Sequence, residues 1–297
     1  MPEKIEALIG MDFDSFLKEF SNPAGNPDAC NYCNNFNLFT SNESISYAIR
    51  PISGRGRIYF GVLGGIDQVF SHLAFQKPKL AILSDLNRAS LDYLKIRLEL
   101  LKSCENRWDY LAAILNVSEL GREAREAIDF QLILRNFSGF HPSTLTRRAN
   151  EKLERLSENF THFDCDSEGR LKKFLANDFE TKSFALEQFK KFISVNIPDS
   201  IYFLSDENFN FVKNMTEEGR IKAFCGDIFD YSLGKSYEVL GEEKRDVSVI
   251  YLSNVLDYLP SAAAYRNLVH TIKCAPDDAT IIAGVVNGCF SQNQFSN

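Results

Sequence analysis

Residues 57–70 read RIYFGVLGGIDQVF, and this stretch is the most informative about the fold. Its apolar start is typical of a buried strand. Three glycines follow within five positions: Gly61, Gly64 and Gly65. The pair Asp67-Gln68 then stands where a helix should begin, since acidic side chains favour the first turn of a helix. The stretch therefore predicts a strand, a glycine turn and a helix.

The residues that follow repeat this strand-and-helix order. Residues 80–85, LAILSD, are mainly apolar and end on Asp85, as a buried parallel strand would. Leucines then recur at three- and four-residue spacing, which places one apolar stripe along a helix. They are Leu91, Leu94, Leu98 and Leu101. This order is typical of an open, mostly parallel sheet.

The same alternation returns near residue 200. Strands are predicted at SIYFLS (200–205), RIKAFCGD (220–227), DVSVIYLSN (246–254) and ATIIAGVV (279–286). Ser205-Asp206 is a typical start for a helix that Gly219 can end, and another helix is predicted at Ala262–Ile272. We therefore predict an α/β fold with a mostly parallel sheet.

Two segments lie outside this alternation. Residues 1–56 contain a short amphipathic piece, Phe13–Phe20, and a loop rich in Asn, Pro and Gly, so we interpret them as an N-terminal cap. Residues 57–297 are predicted to form the main domain. Within it, residues 103–198 are helical in pattern and strongly charged, and they are too long for a simple crossover. We predict a helical insertion whose mixed charges form a solvated face.

The composition argues against several classes of function. The net charge of −7 argues against a general affinity for nucleic acid or for an anionic membrane, because both need a basic surface. No apolar run approaches the ~20 residues of a membrane span, and the first residues lack the pattern of a signal peptide. We expect a cytoplasmic protein, with export by a route that needs no N-terminal signal left open.

The cysteines do not indicate a metal site. Of the seven, only Cys30 and Cys33 stand in a Cys-x-x-Cys motif. A zinc site would need a second pair of ligands, and the sequence has no second Cys-x-x-Cys and no His-x-x-x-His. A redox pair is expected at a strand-to-helix junction rather than in an Asn-rich loop. We therefore predict no metal.

Polar residues follow the predicted strands at their carboxyl ends, where ligands bind in open parallel sheets. Besides the glycine turn, the candidates include Asp85, placed where an acid accepts hydrogen bonds from ribose hydroxyls, and Gly226-Asp227. The last group lies in LSNVLDYL: Ser253, Asn254, Asp257 and Tyr258. Each group has a structural alternative, because glycines serve tight turns and Asp or Asn caps helices. Their order at successive strand ends favours a nucleoside pocket.

Together these features resemble the S-adenosylmethionine-dependent methyltransferases of the Rossmann-like class. The sequence is similar, more closely, to a family of uncharacterised bacterial proteins related to those enzymes. The similar stretches are GGIDQVF, LSDLNRASLDYLKIRL, YFLSDENFNFVKNM, GDIF and IYLSNVLDYL, with SNE at 41–43. The resemblance covers most of residues 40–260. It implies a Rossmann-like three-layer αβα fold with S-adenosyl-L-methionine as the cofactor.

The resemblance also implies a role for each candidate. Asp85 would hold the ribose, Asp227 would meet the adenine amino group, and Asn254 would line the pocket near the sulfonium. The other cofactor-binding candidates are Gly61, Gly64 and Gly65, which would flank the methionine part, together with Asp67, Gln68, Asn87, Gly226 and Ser253. Candidate catalytic residues, which would accept a proton from the acceptor, are Asp67, Asp257 and Tyr258.

The sequence departs from the methyltransferase pattern at two positions. Tyr59 stands two residues before the first glycine, where those enzymes usually have an acid, and Leu63 replaces the middle glycine. Asp67 would then supply the missing charge for the ammonium group of the cofactor. A second register is also open, in which FLSD is the ribose strand and Asp206 its acid. The distance from the glycines favours Asp85.

The leading hypothesis is an S-adenosylmethionine-binding methyltransferase with an acceptor that the sequence does not identify. Transfer of the aminocarboxypropyl group of the same cofactor is an alternative, whereas the incomplete G-x-G-x-x-G pattern disfavours a dinucleotide. The non-enzymatic alternative is a catalytically inactive scaffold that binds a partner protein. Of the four histidines, only His72 is expected near the glycine turn.

Overall fold

The computed structural model describes residues 3–22, 58–86, 88–115, 201–228, 233–253, 262–285 and 288–290. The helices are α1 (Glu3–Gly10), α2 (Phe13–Phe20), α3 (Ile66–Gln76), α4 (Arg88–Ser103), α5 (Arg107–Leu115), α6 (Asp206–Glu217), α7 (Leu233–Leu240) and α8 (Ala262–Lys273). The strands are β1 (Ile58–Val62), β2 (Leu80–Asp85), β3 (Ile221–Cys225), β4 (Val247–Ser253), β5 (Thr280–Val285) and β6 (Gly288–Phe290). Short 3₁₀ turns cover Tyr202–Leu204 and Gly241–Asp246. Over these ranges, no helix combines the length and apolarity needed to cross a membrane.

The strands form one sheet in the order β3-β2-β1-β4-β5-β6. The first five strands of this order are parallel, and only β6 is antiparallel to its neighbour. The chain therefore builds outward from β1 in one direction, through β2 to β3, and then returns to the other side of β1 with β4. The predicted α/β fold with a mostly parallel sheet is confirmed.

Alternate residues of the strands feed two hydrophobic clusters, because successive side chains of a strand point to opposite faces. Tyr59 and Leu83 belong to the cluster that includes α3, α4, α5 and α6. Phe60 and Ile82 belong to the cluster that includes α1, α7 and α8. The central strands are therefore buried on both faces, as their continuous apolar runs predict.

The N-terminal helices cover the edge of the sheet at β3. Helix α2 places Phe16 in one cluster and Leu17 in the other. At the end of the strand, the Cys225 amide donates to Ser21 Oγ at 2.9 Å, and the Asn22 amide donates to the Cys225 carbonyl at 2.9 Å. These bonds occupy backbone groups that an edge strand would otherwise expose. Helix α2 coincides with the amphipathic piece predicted at Phe13–Phe20.

One predicted strand is wrong: the described part of SIYFLS, residues 201–205, does not join the sheet. Its residues Tyr202–Leu204 form a 3₁₀ turn, and Ile201, Tyr202 and Phe203 are fully buried in the cluster that contains α3. The β-forming side chains are therefore explained by packing on α3 and not by strand pairing, since β3 already occupies the outer side of β2. The helix signals that follow are correct: Ser205 caps α6, and Gly219 ends it with a φ of 70°.

Several sequence predictions lie outside the described residues. They are the Cys30–Cys33 motif, residues 41–43, and residues 116–198, which are most of the predicted insertion. The described part of that insertion, residues 103–115, contains α5.

Candidate functional site

Two backbone hydrogen bonds join the carboxyl ends of three neighbouring strands. The Leu63 amide, in the glycine turn after β1, donates to the Ser84 carbonyl of β2 at 2.8 Å. The Gly226 amide, just after β3, donates to the Asp85 carbonyl at 3.0 Å. The glycine turn, Asp85 and Gly226 therefore lie side by side where the strands reach their carboxyl ends, the position that the sequence predicts for a ligand site. We call this side of the sheet its carboxyl edge.

Two half-buried carboxyl groups belong to this edge. Asp85 is the last residue of β2, paired in register with Cys225 of β3. Asp227 follows Gly226, and the side chains of both acids are neither fully exposed nor fully buried. A half-buried carboxylate at a strand end can accept hydrogen bonds from hydroxyl or amino groups of a ligand.

Ser253 ends β4 in an unusual backbone conformation. Its φ is 52°, in the left-handed region that side-chain-bearing residues rarely adopt, and the residue is 1% exposed. Strain of this kind costs of order 1–3 kcal/mol and concentrates at functional sites. The remaining candidates near the strand ends, Asn87, Asn254, Asp257 and Tyr258, lie outside the described residues.

The three glycines have different structural environments. Gly61 lies within β1, where a Cβ would come within 2.7 Å of Tyr59 Cε1. Gly65 precedes α3 with an extended backbone, φ −170°, which any residue can adopt. Gly64 is half-buried in the turn between them. The missing side chain of Gly61 therefore makes room for Tyr59.

Asp67 belongs to a closed ring of four buried side chains, which we call the buried ring: Asp67, Arg97, Tyr110 and Tyr202. Asp67 Oδ1 lies 2.5 Å from Arg97 Nη2 and 3.0 Å from the Tyr202 hydroxyl. The Tyr202 and Tyr110 hydroxyl oxygens are 2.8 Å apart, and Arg97 Nε donates to Tyr110 at 2.8 Å. The side chains of Asp67 and Arg97 are both 0% exposed.

The number of protons on the side chains of the buried ring determines which group donates in each hydrogen bond. A tyrosine hydroxyl has one proton, so Tyr202 donates to the carboxylate and accepts from Tyr110. Burial raises the pKa of Tyr202 well above its ordinary value, which keeps this donor protonated. Burial also raises the pKa of Asp67, while Arg97 and Tyr202 act in the opposite direction.

The predicted roles of Asp67 need a carboxylate that reaches a ligand. Its carboxylate is instead fully buried, with Oδ1 held by Arg97 and Tyr202 and Oδ2 without a hydrogen-bond partner within the described residues. Gln68, the next residue, is also buried, at 1% exposed. No sequence pattern indicates the pairing with Arg97, because the two residues are 30 positions apart and meet only through helix packing.

His72 lies behind the glycine turn, on the face of α3 that packs against the sheet. Its Nδ1 is 3.1 Å from the Tyr59 hydroxyl, and its ring makes an edge contact with Tyr251 at 4.6 Å between centroids. Burial lowers the pKa of His72 to about 3, so the imidazole is neutral near pH 7. Tyr59, which replaces the usual acid, thus contacts a neutral histidine.

Asp206, the alternative ribose acid, is not at a strand end. It begins α6 after the 3₁₀ turn, its side chain is 72% exposed, and its Oδ1 lies 2.8 Å from Arg107 Nε. The register in which FLSD is a strand is therefore wrong, and Asp85 is the acid that ends a strand next to the glycine turn.

Comparison with known proteins shows that the sequence matches one family. A family model described as a domain of unknown function, DUF7790, matches residues 38–284. No curated protein matches the chain. The matched range includes the described candidates at the carboxyl ends of the strands, which we call the strand-end site: the glycine turn, Asp85, Gly226, Asp227 and Ser253.

Proposed function

Since the chain belongs to the DUF7790 family, whose description names no activity, we propose a function from the site itself. The protein binds S-adenosyl-L-methionine at the carboxyl edge of its sheet and is a methyltransferase. The bound cofactor would supply a methyl group activated by a sulfonium. The residues of the chain would bind the nucleoside, orient it and exclude water.

The observation that carries this proposal is the adjacency of the glycine turn, Asp85 and Gly226. Two backbone hydrogen bonds, of 2.8 and 3.0 Å, hold these strand ends side by side. They stand next to the place where the strand order reverses, between β1 and β4. Open parallel sheets bind nucleotides at this kind of position, which supports a Rossmann-like arrangement.

The described residues fit the nucleoside half of the cofactor better than its amino acid half. Asp85 would accept hydrogen bonds from the ribose hydroxyls, and Asp227, one strand farther out, would accept one from the adenine amino group. The methionine ammonium needs an acid, but Asp67 is enclosed in the buried ring and Tyr59 pairs with His72. We therefore leave Asp67 out of the proposed ligand contacts.

The proposed roles of the other described candidates follow from their positions. Gly64 and Gly65 would flank the methionine part of the cofactor, and the positive end of the α3 dipole would face its carboxylate. Ser253 would border the sulfonium from β4. Asn254, Asp257 and Tyr258 keep their predicted roles, with the last two as candidates to accept the proton of the acceptor.

Calorimetric titration with S-adenosylmethionine and S-adenosylhomocysteine tests the binding. We expect Asp85→Asn, which keeps the size of the side chain, to weaken binding at least tenfold through loss of charge-assisted hydrogen bonds. Asp206→Asn is the matched control and should change the affinity less than twofold. If neither ligand binds the wild-type protein, the proposal fails and the scaffold interpretation gains support.

Product analysis separates the two enzymatic alternatives. Incubation of S-adenosylmethionine with the protein and a cell extract as the source of acceptor should release S-adenosylhomocysteine if a methyl group is transferred. Transfer of the aminocarboxypropyl group would release methylthioadenosine instead. Asp85→Asn should lower either product toward the level that the extract makes alone, which distinguishes the reaction from background enzymes in the extract.

A further inference from the structure

Tyr202 ties the chain that follows residues 116–200 to the beginning of α3. Its hydroxyl lies 3.0 Å from Asp67 Oδ1. Its backbone amide donates to Ser71 Oγ at 3.3 Å, and Ser71 Oγ donates to the Asp67 carbonyl at 2.7 Å. Its ring meets Phe70 edge-on, with the centroids 5.4 Å apart. Both side chain and backbone of Tyr202 therefore hold the first turns of α3.

The beginning of α3 is continuous with the glycine turn. Gly65 is the N-cap residue, and its carbonyl accepts the Val69 amide at 3.0 Å in the first helical bond. Asp67 is the second residue of the helix, so the side chain that Tyr202 holds lies two positions after Gly65. A shift of Asp67 would move the turn with it, because a closely packed interior transmits small displacements.

The other side of the buried ring adds a second connection. Tyr110, in α5, is linked to Tyr202 and to Arg97 by hydrogen bonds of 2.8 Å each. Arg107, also in α5, contacts the Leu204 carbonyl. The segments on both sides of residues 116–200 are therefore joined to each other and, through Asp67, to the glycine turn.

We propose that Tyr202 is a positioning residue for the strand-end site: through Asp67 it fixes the start of α3 and the glycine turn. The identity of the ligand rests on the proposed function, whereas the connection from Tyr202 to the turn does not. Ligand binding is thus coupled to the conformational stability of Ile201–Leu204. Coupling between two sites is reciprocal. A ligand that stabilises the turn also stabilises this segment.

Tyr202→Phe tests the proposal because it removes only the hydroxyl and keeps the ring on Phe70. Tyr93→Phe is the matched control, since the Tyr93 hydroxyl lies 3.4 Å from Arg97 Nη1 on another side of the guanidinium. The first readout is hydrogen exchange of the Val69 amide in the ligand-free protein. We expect about tenfold faster exchange in Tyr202→Phe, consistent with a lost bond to a buried charge, and little change in Tyr93→Phe.

The second readout is the affinity for S-adenosylhomocysteine, which should fall five- to tenfold in Tyr202→Phe and less than twofold in Tyr93→Phe. A purely structural role would lower the melting temperature of both variants without singling out Val69. If Val69 exchanges equally in the wild type and Tyr202→Phe, the positioning role is overturned even when the ligand binds. If the wild type binds no ligand, the proposed function fails, and faster Val69 exchange in Tyr202→Phe still supports the connection.

Discussion

The aromatic ring of Tyr59 occupies the space that a side chain at Gly61 would need. A Cβ at Gly61 would lie 2.7 Å from Tyr59 Cε1 and 3.3 Å from the Cβ of Tyr251. The two residues are two positions apart on β1 and face the same side of the sheet. The glycine lets Tyr59 lie along the strand and reach His72 Nδ1 at 3.1 Å. Gly61 therefore has a packing role that is independent of any ligand.

This relationship predicts the effect of a methyl group at position 61. Gly61→Ala should lower the free energy of unfolding by about 1–3 kcal/mol, since the ring must move within a close-packed core. In a Tyr59→Leu background the same change should cost less than about 1 kcal/mol. Denaturant titration of the four proteins gives the comparison.

Gly234→Ala is the control for this cycle. Among the described residues, no atom lies within 4 Å of a Cβ at Gly234 in α7, so alanine there should be neutral or stabilising by up to about 1 kcal/mol. Equal costs of Gly61→Ala in both backgrounds would show that Tyr59 does not set the requirement for glycine.

The ion pair of Asp67 and Arg97 predicts a strongly non-additive pair of substitutions. Asp67→Leu leaves a buried guanidinium without its counter-charge and should cost about 3–5 kcal/mol. Adding Arg97→Met removes that unpaired charge, so the double variant should be more stable than Asp67→Leu alone. Chemical denaturation measures both values. A double variant as unstable as the sum of the two single variants would contradict a direct pairing.

The sequence predicted the sheet because its strands are buried on both faces and read as continuous apolar runs. It failed at SIYFLS, where Tyr202 and Phe203 have the same apolar, β-forming character but pack against α3. A run this short does not reveal whether its partner is a strand or a helix. The three residues of β6 are too few to produce a pattern at all.

The candidate site was predictable in part because the strands themselves were predictable. Asp85 and Asp227 follow strands whose order along the chain can be read, so their shared edge follows from parallel pairing. The partners of Asp67 could not be predicted, because a helix residue can face the ligand or the core, and sequence spacing does not tell which. Tyr59 was visible as a departure from the methyltransferase pattern, but its contact with His72 depends on the packing of α3 on β1.

His72 predicts an acid-sensitive contribution to stability. Its pKa in the folded protein is about 3, below its ordinary value of 6.5. As the pH falls below about 6.5, the unfolded chain takes up a proton at this residue and the folded protein does not. The free energy of unfolding should therefore fall by at most about 1.4 kcal/mol per pH unit from this group.

Melting curves between pH 7 and 4 check this expectation. The slope of stability against pH should be smaller in His72→Gln than in the wild type. His270→Gln, at an exposed position of α8, should keep the wild-type slope. Identical slopes in all three proteins would rule out a buried neutral His72.

Lys222 predicts a pH dependence of the same sign at the alkaline end, because its pKa is also lower in the folded protein than in the unfolded chain. It is 1% exposed in β3, its Nζ donates to the Ile9 carbonyl at 3.0 Å and also to Met11, and burial lowers its pKa to about 8 from 10.5. Between those two values the unfolded chain keeps the proton and the folded protein loses it. The contribution of Lys222 to the free energy of unfolding should therefore rise from about pH 8 to 10.5.

Urea titrations at pH 7.5, 9 and 10 measure this contribution as the difference between the wild type and Lys222→Met. That difference should shift in favour of the wild type by at most about 1.4 kcal/mol per pH unit. Lys244→Met, at an exposed position, is the control and should show no such shift. A constant difference for Lys222→Met would contradict the lowered pKa.

The most direct test of the central claim is a crystal structure of the protein grown with S-adenosylhomocysteine. We predict the ligand at the carboxyl edge of the sheet, with its ribose hydroxyls in hydrogen-bond contact with the Asp85 carboxylate and its adenine beside Asp227. Gly64 and Gly65 would lie against the amino acid part, and Asp67 would remain in the buried ring. A ligand bound elsewhere would contradict the account. So would a strand-end site without ligand in crystals grown at a saturating concentration of S-adenosylhomocysteine.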